Sequence, residues 1–290
     1  MMTAMQYYRS LQNGEIILPE NSFDSFGFLN IPNLGINSFE INRNTASQTN
    51  IPWSGELPNE SDVDAFVVPT GPYFTETIYP QKNTNANLIL ETAANTVDFI
   101  FDQFGNNKHA CKFKGLAGSV FNINGSLDVS LSKNVPYFAV ILLVKGNTTL
   151  AASQNIFFIS TASNIGRTRV TVNLNADPST GCLIAGRRIS ADAPSIISSN
   201  ENCSNWVVIT AIFDYINREL ILRVNGVQKA IDTAFSLGAN SENTNSLTQY
   251  IGGSGATASI AGVTIWNHTP TSFSHIEEVE NRYKEFANII

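Results

Sequence analysis

Carboxylate side chains are the first residues to consider for chemistry, because two of them flanking a glycosidic bond can hydrolyse it. Such a pair would lie roughly 5–10 Å apart. The densest acidic cluster is Glu60-Ser61-Asp62-Val63-Asp64. It lies between prolines and not on a predicted strand, so we interpret it as a solvated acidic loop and not as a catalytic pair.

The other side chains that commonly carry catalysis are scattered. The three histidines, His109, His268 and His275, have no partner at metal-ligand spacing. The sequence has no Gly-x-Ser-x-Gly elbow, no phosphate-binding loop and no dinucleotide fingerprint. We therefore predict that the protein is not an enzyme and has no transition-metal site.

Calcium is the one cofactor that the sequence does not exclude, because its ligands are oxygen atoms that loops and strand ends can supply. Five aspartates are candidates by position: Asp98, Asp102, Asp177, Asp192 and Asp232. None of them forms an Asp-x-Asp pair, so ordinary turn roles are favoured. No cofactor is predicted, with calcium as the alternative.

Glycan binding commonly uses an exposed aromatic ring beside amide or carboxylate groups. Tyr215 in a hairpin turn and Tyr250 beside a run of glycines are the candidates for such a platform. A structural role is the competing interpretation for both. Trp206 and Trp266 are assigned to the core.

The element that would position these residues is the stretch from Trp206 to Gln228. Apolar residues occupy both faces of Val207–Phe213, which indicates a strand inside a sandwich. Polar residues from Asp214 to Glu219 then form a turn, and Asn225-Gly226 is a strong hairpin dipeptide because both residues tolerate positive φ. The stretch predicts two consecutive hairpins.

Short strand patterns separated by turn signals continue over most of the chain. The predicted strands are Phe66–Val68, Phe74–Ile78, Asn87–Glu91, Thr96–Phe101, Cys111–Phe113, Ser119–Ile123, Leu127–Leu131, Tyr137–Val144, Asn155–Ser160, Arg169–Leu174, Cys182–Ala185, Val207–Phe213, Glu219–Val224, Gln228–Asp232, Gln249–Ile251 and Ala258–Trp266. The only convincing helix comes last. A capping box is predicted at Ser274–Glu277, and the apolar stripe is Ile276, Val279, Tyr283 and Phe286.

The first 83 residues differ from the rest, since they hold most of the 11 prolines together with many aromatic residues. Proline at this density is expected to exclude central strands and helices. The segment is therefore predicted to be either an extended attachment arm or a small subdomain of short strands. The aromatic residues assigned to attachment are Phe23, Phe26, Phe28, Phe39 and Trp53.

Composition sets the outer limits on function. The 290 residues are 43% hydrophobic and only 14% charged, with a net charge of −7. This charge argues against nucleic-acid and anionic-membrane partners. The N-terminal residues do not resemble a secretory signal, and no apolar run reaches membrane-helix length. Cys111, Cys182 and Cys203 are expected to be separate thiols, with a Cys182–Cys203 bridge as the alternative.

The order of motifs in residues 84–290 resembles laminin-G-like, or concanavalin-A-like, domains. The matching features are the strand that begins at Trp206, the hairpin at Asn225-Gly226, Ile251-Gly252-Gly253, the segment from Gly262 to Trp266-Asn267, and a terminal helix. This resemblance implies an all-β, two-sheet antiparallel jelly-roll sandwich, here with an extended N-terminal arm and a short C-terminal helix. Related glucanases carry Glu-x-Asp-x-Glu on a central strand, and this chain does not.

Such domains mostly bind glycans or proteins and are frequent in bacteriophage tail fibres and virion surfaces. We therefore predict an N-terminal attachment segment (residues 1–83) and a jelly-roll domain (residues 84–290). The leading hypothesis is a non-enzymatic virion structural protein, such as a capsid decoration or tail-fibre component. It would bind other virion proteins or its own copies, as a homo-oligomer. The alternatives are a lectin-like module for cell-surface glycans, located outside the cell or on its surface, and a glycan hydrolase or lyase.

Overall fold

The fold is described from a computed structural model. It covers residues 22–27, 37–43, 47–54, 57–58, 73–78, 88–90, 97–100, 103–104, 108–115, 120–123, 135–146, 156–161, 167–170, 181–187, 195–235, 238, 246–252, 257–266, 270 and 272–290. Every strand pairing in these ranges is antiparallel, as the sequence predicted. No helix within them is long and apolar enough to cross a membrane.

The described elements are nineteen strands followed by one helix. In chain order they are β1 (Ser22–Gly27), β2 (Asn37–Arg43), β3 (Ser47–Ser54), β4 (Leu57–Pro58), β5 (Tyr73–Ile78), β6 (Leu88–Leu90), β7 (Val97–Ile100), β8 (Ala110–Lys112), β9 (Val120–Ile123), β10 (Tyr137–Lys145), β11 (Phe157–Thr161), β12 (Arg167–Val170), β13 (Cys182–Arg187), β14 (Ser195–Ser199), β15 (Trp206–Asp214), β16 (Glu219–Val224), β17 (Val227–Asp232), β18 (Ser246–Gly252), β19 (Ser259–Trp266) and α1 (Ser274–Phe286).

The first sheet is built on β10, which is paired along its whole length. Its strands run in the order β17, β16, β15, β10, β19. The far side of β19 is shared by β1 and β8. The second sheet runs β14, β13, β12, β11, β18, β9, β6, β5, and β5 continues through β2 to β3. β7 joins the two sheets at one edge, because it pairs with both β5 and β8.

The two sheets pack through aromatic side chains on their inner faces. The Phe138 ring on β10 lies 6.1 Å from Phe157 on β11 and 6.1 Å from Phe213 on β15. Every residue from Phe138 to Val144 is fully buried. A strand buried on both faces needs a cover on its outer side as well as its inner side.

Helix α1 supplies part of that outer cover. Its predicted apolar stripe of Ile276, Val279, Tyr283 and Phe286 is buried, which confirms the stripe. The Tyr283 hydroxyl lies 2.9 Å from Thr264 Oγ1 on β19. The ring lies so close to Gly262 that a Cβ there would come within 2.7 Å of it. Glycine is required at this position by close approach.

The predicted capping box at Ser274 is wrong. The N-cap residue is Phe273, and no side chain caps the helix. Ser274 already lies in the first turn, where its backbone N–H donates to the Ser272 hydroxyl at 3.3 Å. A capping box needs a spacing of three residues between the capping side chain and the N–H that it accepts from. Ser272 and Ser274 are only two residues apart, so their hydrogen bond forms a local turn at the start of the helix.

Both predicted hairpins are confirmed, as β15–β16 and β16–β17. The second turn has φ of 51° at Asn225 and 82° at Gly226, as its dipeptide predicts. The Asn225 side chain also accepts a hydrogen bond from Val208 N–H at 2.8 Å, which fixes the turn against the neighbouring strand.

The proline-rich segment contributes more regular structure than its composition indicates. β2 is paired on both sides, with β3 and β5, so the expectation that prolines exclude central strands here is wrong for β2. The physical reason is placement, because Asn37–Arg43 contains no proline and Pro52 lies on the neighbouring β3. β1 pairs with β19. The division at residue 83 and the attachment role stay predictions.

Most predicted strands coincide with observed ones, but five observed strands were missed, namely β1 to β4 in the proline-rich segment and β14. β14 was not predicted, because Ser195–Ser199 is short and serine-rich. β12 begins two residues before the predicted strand at Arg169. The predicted strands at Phe66–Val68 and Leu127–Leu131 lie outside the described residues.

Candidate functional site

A row of polar side chains crosses the end of the first sheet. Lys145 on β10 lies opposite Ser259 on β19, and Ser259 lies opposite Lys112 on β8. Directly opposed residues in antiparallel strands project from the same face. Lys112, Ser259 and Lys145, called the lysine row below, therefore share one face of the sheet.

A β-bulge on β19 creates this row. Leu143 is opposite Gly262, but Val144 is opposite Ile260, so Ala261 is the extra residue. Without the bulge, Ile260 would be opposite Lys145. With it, Ser259 takes that place and Ile260 joins the core at 4% exposure. The bulge thus exchanges a bulky apolar side chain for a hydroxyl between two lysines.

The lysine row lines a cavity of about 400 Å³. This volume is within the range of small-molecule binding sites. The lining, called the lysine cavity below, consists of Ile100, Gln103, Lys112, Lys145, Gly146, Ser204, Thr257 and Ser259. Hydroxyl, amide and ammonium groups predominate, so the lining suits a polar ligand rich in hydroxyl groups.

One wall of the cavity is held by hydrogen bonds from the loop before β15. Gly146 N–H donates to the Cys203 carbonyl at 2.7 Å. Ser204 N–H donates to Asn202 Oδ1 at 2.9 Å. These bonds fix the end of β10 against the loop and place Ser204 at the cavity edge.

The charged side chains that line the cavity are both positive. Lys112 is exposed and Lys145 half-buried. In the part of the chain that the structure describes, neither ammonium group has a hydrogen bond or an ion pair. Asp98 on β7 is opposite Lys112 on β8, but the Asp98 carboxylate lies 2.8 Å from Lys114 Nζ. The cavity is therefore a local cationic site in a chain of net charge −7.

The two tyrosines predicted to bind glycan have different environments. Tyr215 is fully buried, with its ring 5.2 Å from Phe235. It cannot offer an exposed ring, so the predicted platform at Tyr215 is wrong, because the turn after β15 folds inward and is held by Tyr215 N–H donating to the Pro136 carbonyl. Tyr250 is half-buried on β18 and does not line the lysine cavity, so its role stays a prediction.

The aromatic residues assigned to attachment lie largely on strands. Phe23 and Phe26 are on β1, Phe39 is on β2 and Trp53 is on β3, and Phe28 lies outside the described residues. The acidic cluster at residues 60–64 lies outside them as well. Attachment through these residues stays a prediction.

Two of the five calcium candidates have local roles. Asp98 forms its ion pair with Lys114, and Asp232 Oδ1 accepts a hydrogen bond from Ala234 N–H at 2.8 Å. Asp102, Asp177 and Asp192 lie outside the described residues. Among the described side chains, no group of three His, Cys, Asp or Glu is placed to hold a metal ion.

The remaining chemistry-bearing residues are mostly buried. Trp266 is fully buried, as predicted, whereas Trp206 is half-buried with its ring 4.7 Å from Phe104. His109 is buried 5.1 Å from the Phe99 ring. The partial burial of His275 lowers its pKa, because burial disfavours the charged imidazolium.

The three cysteines are buried free thiols. Burial raises the pKa of Cys111 to about 12. The neighbouring Cys203 thiol and burial raise the pKa of Cys182 as well.

The lysine cavity was not predicted from the sequence. Lys112 and Lys145 lie at strand ends, where a lysine usually means only that the strand has reached solvent. Their relation depends on pairing across β19 and on the bulge at Ala261. The sequence feature that could have indicated a site here is the abrupt change from an apolar run to Lys145-Gly146. This change marks where β10 leaves the core.

Comparison with known proteins supports the fold but does not assign the chain to a family. No protein-family model matches the sequence, and no curated protein matches it. A GH54 α-L-arabinofuranosidase soaked with a cyclic sulfate inhibitor shares 12% identity with a TM-score of 0.56 over 91% of this chain and 62% of that one. An arabinofuranosidase complexed with arabinofuranosyl-α-1,2-xylobiose shares 11% with a TM-score of 0.57 over the same shares of both chains.

The binding domain of Paraclostridial Mosquitocidal Protein 1 shares 14% identity with a TM-score of 0.50 over 71% of this chain and 49% of that one. This chain thus spans less than two thirds of the length of each of these proteins. At such identities the similarity shows the β-sandwich fold alone. The narrower laminin-G resemblance and the bacteriophage context stay predictions.

Proposed function

We propose that this protein is a non-enzymatic, glycan-binding β-sandwich and that the lysine cavity is its binding site. The observation that carries the proposal is the polar lining of a cavity of about 400 Å³ at the end of the first sheet. Sugars present many hydroxyl groups, and the side chains of Gln103, Ser204 and Ser259 can exchange hydrogen bonds with them. The solved arabinofuranosidases of similar fold are consistent with such a role.

Binding without cleavage fits the chemistry of the lining. Hydrolysis needs a proton donor and a second carboxylate across the scissile bond. The described residues that line the cavity include no Asp or Glu. The described lining therefore supplies hydrogen-bonding contacts for a ligand but no pair of carboxyl groups across a scissile bond.

Binding is tested with a glycan array and calorimetry, with and without calcium, on the full chain and on Ser259→Trp. The indole side chain would fill the cavity at its centre and abolish binding. Ser198→Trp is the matched control, because Ser198 is exposed on β14 and outside the lining. Absence of glycan binding by the unmodified protein would refute the proposal, and so would unchanged binding by Ser259→Trp. Release of reducing ends from a polysaccharide panel would refute its non-enzymatic part.

A virion structural role is the second candidate, as an attached component that presents this sandwich. It is supported by the aromatic and proline-rich content of residues 1–83 and by the low proportion of charged residues. The protein would then reside on a particle, bound to other virion proteins or to its own copies. Co-sedimentation of the full chain with purified particles tests this role, and recovery only in the soluble fraction would contradict it.

A further inference from the structure

We propose that the lysine cavity selects acidic glycans and binds the carboxylate of a sugar between Lys112 and Lys145. This inference rests on the proposed function, because it specifies the ligand class of the same cavity. It follows from the arrangement of charge and hydroxyl groups in the lining.

The geometry allows two lysines to reach one group. Lys112 and Lys145 lie on the two strands that flank β19, each directly opposite Ser259. Neighbouring strands are about 4.8 Å apart, so the two backbones are separated by roughly 10 Å. Lysine side chains are long and flexible, and two of them can converge over the intervening serine. The Ser259 hydroxyl would then lie beneath the bound carboxylate as a further donor.

The charge balance favours an anion at this point. Two ammonium groups with no partner among the described residues repel each other across the same cavity. The carboxylate of Asp98, which lies opposite Lys112 in the strand pairing, is already paired with Lys114 at 2.8 Å. An incoming carboxylate would relieve this repulsion and accept charge-assisted hydrogen bonds from both lysines.

The rest of the lining and the whole chain favour a short acidic sugar over a long polyanion. Gln103 and Ser204 offer hydrogen bonds to the several ring hydroxyl groups of a sugar, which extend beyond the reach of a compact anion such as phosphate. The net charge of −7 opposes the approach of a densely charged polymer. A single carboxylate on a sugar ring satisfies both conditions.

Calorimetric titration of the full chain with trigalacturonate tests the charge requirement. Its methyl ester is the matched ligand, because it keeps the sugar framework and removes the negative charge. A glycan array of paired acids and esters extends the test to other acidic sugars. We expect binding to an acid, no measurable binding to its ester, and weaker binding as ionic strength rises.

Lys112→Met and Lys145→Met should each weaken acid binding roughly tenfold or more, because each removes one charge-assisted contact. Lys284→Met removes the same charge from the helix, outside the cavity lining, and should leave binding unchanged. Thermal melting of each variant verifies that it is folded.

The outcomes separate the two proposals. Equal binding of acid and ester that is lost in Ser259→Trp would overturn the acidic-sugar inference and leave the glycan-binding proposal standing. Absence of binding to every glycan, acidic or neutral, would overturn both. Competition by inorganic phosphate or sulfate as effective as the acidic sugar would mean a simple anion site and would also overturn the inference.

Discussion

Arg223 on β16 and Glu280 on α1, which are 57 residues apart in the sequence, form a bidentate ion pair. The Nε–Oε1 and Nη2–Oε2 distances are 2.9 Å each. The side chain of Glu280 is 1% exposed and that of Arg223 10%. Arg223 also donates to the Gly226 carbonyl at 2.5 Å, and its guanidinium lies 4.8 Å from the Phe273 ring. The pair therefore ties the helix to the hairpin in a fixed orientation.

Glu280→Ala should destabilise the protein by about 3 kcal/mol, because among the described carboxylates it leaves the buried Arg223 guanidinium with only the longer contact to the exposed Glu277 at 3.5 Å. Urea denaturation measures the change in the free energy of unfolding. Arg282→Ala is the control, since Arg282 pairs with the exposed Glu285 at 3.4 Å and such pairs contribute at most about 1 kcal/mol. Equal losses in the two variants would contradict this account.

Gly262→Ala should destabilise the protein by about 1–3 kcal/mol through overpacking. The added methyl would meet the Tyr283 ring at 2.7 Å. The double variant Gly262→Ala with Tyr283→Leu tests the cause, since removing the ring should make the alanine nearly neutral relative to Tyr283→Leu alone. Additive losses in the double variant would mean that the backbone at Gly262, and not the ring, limits the substitution.

Asn225→Ala should lower the free energy of unfolding by about 1–3 kcal/mol. The change removes the hydrogen bond from Val208 N–H and leaves a residue that disfavours positive φ at 51°. Asn225→Gly relieves the backbone cost but not the lost hydrogen bond, and so should retain about half the effect. Thermal and urea unfolding of the three proteins check the ranking.

The Cys111 thiol predicts a loss of stability in alkaline solution. Its pKa is about 12 in the folded protein because of burial, whereas an unfolded cysteine ionises near 8.5 to 9. The unfolded state therefore releases its proton first, and stability falls as pH rises above about 9. Urea denaturation from pH 8 to pH 10.5 measures the slope.

Cys111→Ala should show a shallower decline with pH than the unmodified protein. Thiol labelling gives an independent check, because all three buried cysteines should react slowly in the folded protein at pH 8 and rapidly in urea. Rapid labelling of the folded protein would contradict the burial of these thiols.

The features that could be predicted from the sequence are those determined by neighbouring residues, namely the hairpin turn and the buried face of the helix. Asn225-Gly226 specifies its turn whatever surrounds it, and Ile276, Val279 and Tyr283 mark the buried face of the helix. Glu280 lies on that buried face, yet its burial could not be predicted, because only Arg223 on a distant hairpin makes it tolerable.

The candidate site was unpredictable for a related reason. Ser259 lies opposite Lys145 only because Ala261 is bulged, and without the bulge Ile260 would take that place. The two-residue repeat of a strand predicts which side chains face inward and which face outward, but it does not predict where a β-bulge interrupts that alternation. Tyr215 shows the converse error, since a tyrosine in a polar turn was expected at the surface and packs against Phe235 in the core.

The pairing of β1 with β19 has a consequence for synthesis of the chain. Ser22–Gly27 emerges from the ribosome well before its partners Gly262–Trp266 are synthesised. β8 and β10 depend on the same late strand. The first sheet cannot close co-translationally before β19 emerges, so until then β1, β8 and β10 each expose an unpaired strand edge. Truncation just before Ser259 should therefore give aggregation-prone protein, and expression should depend strongly on chaperone supply.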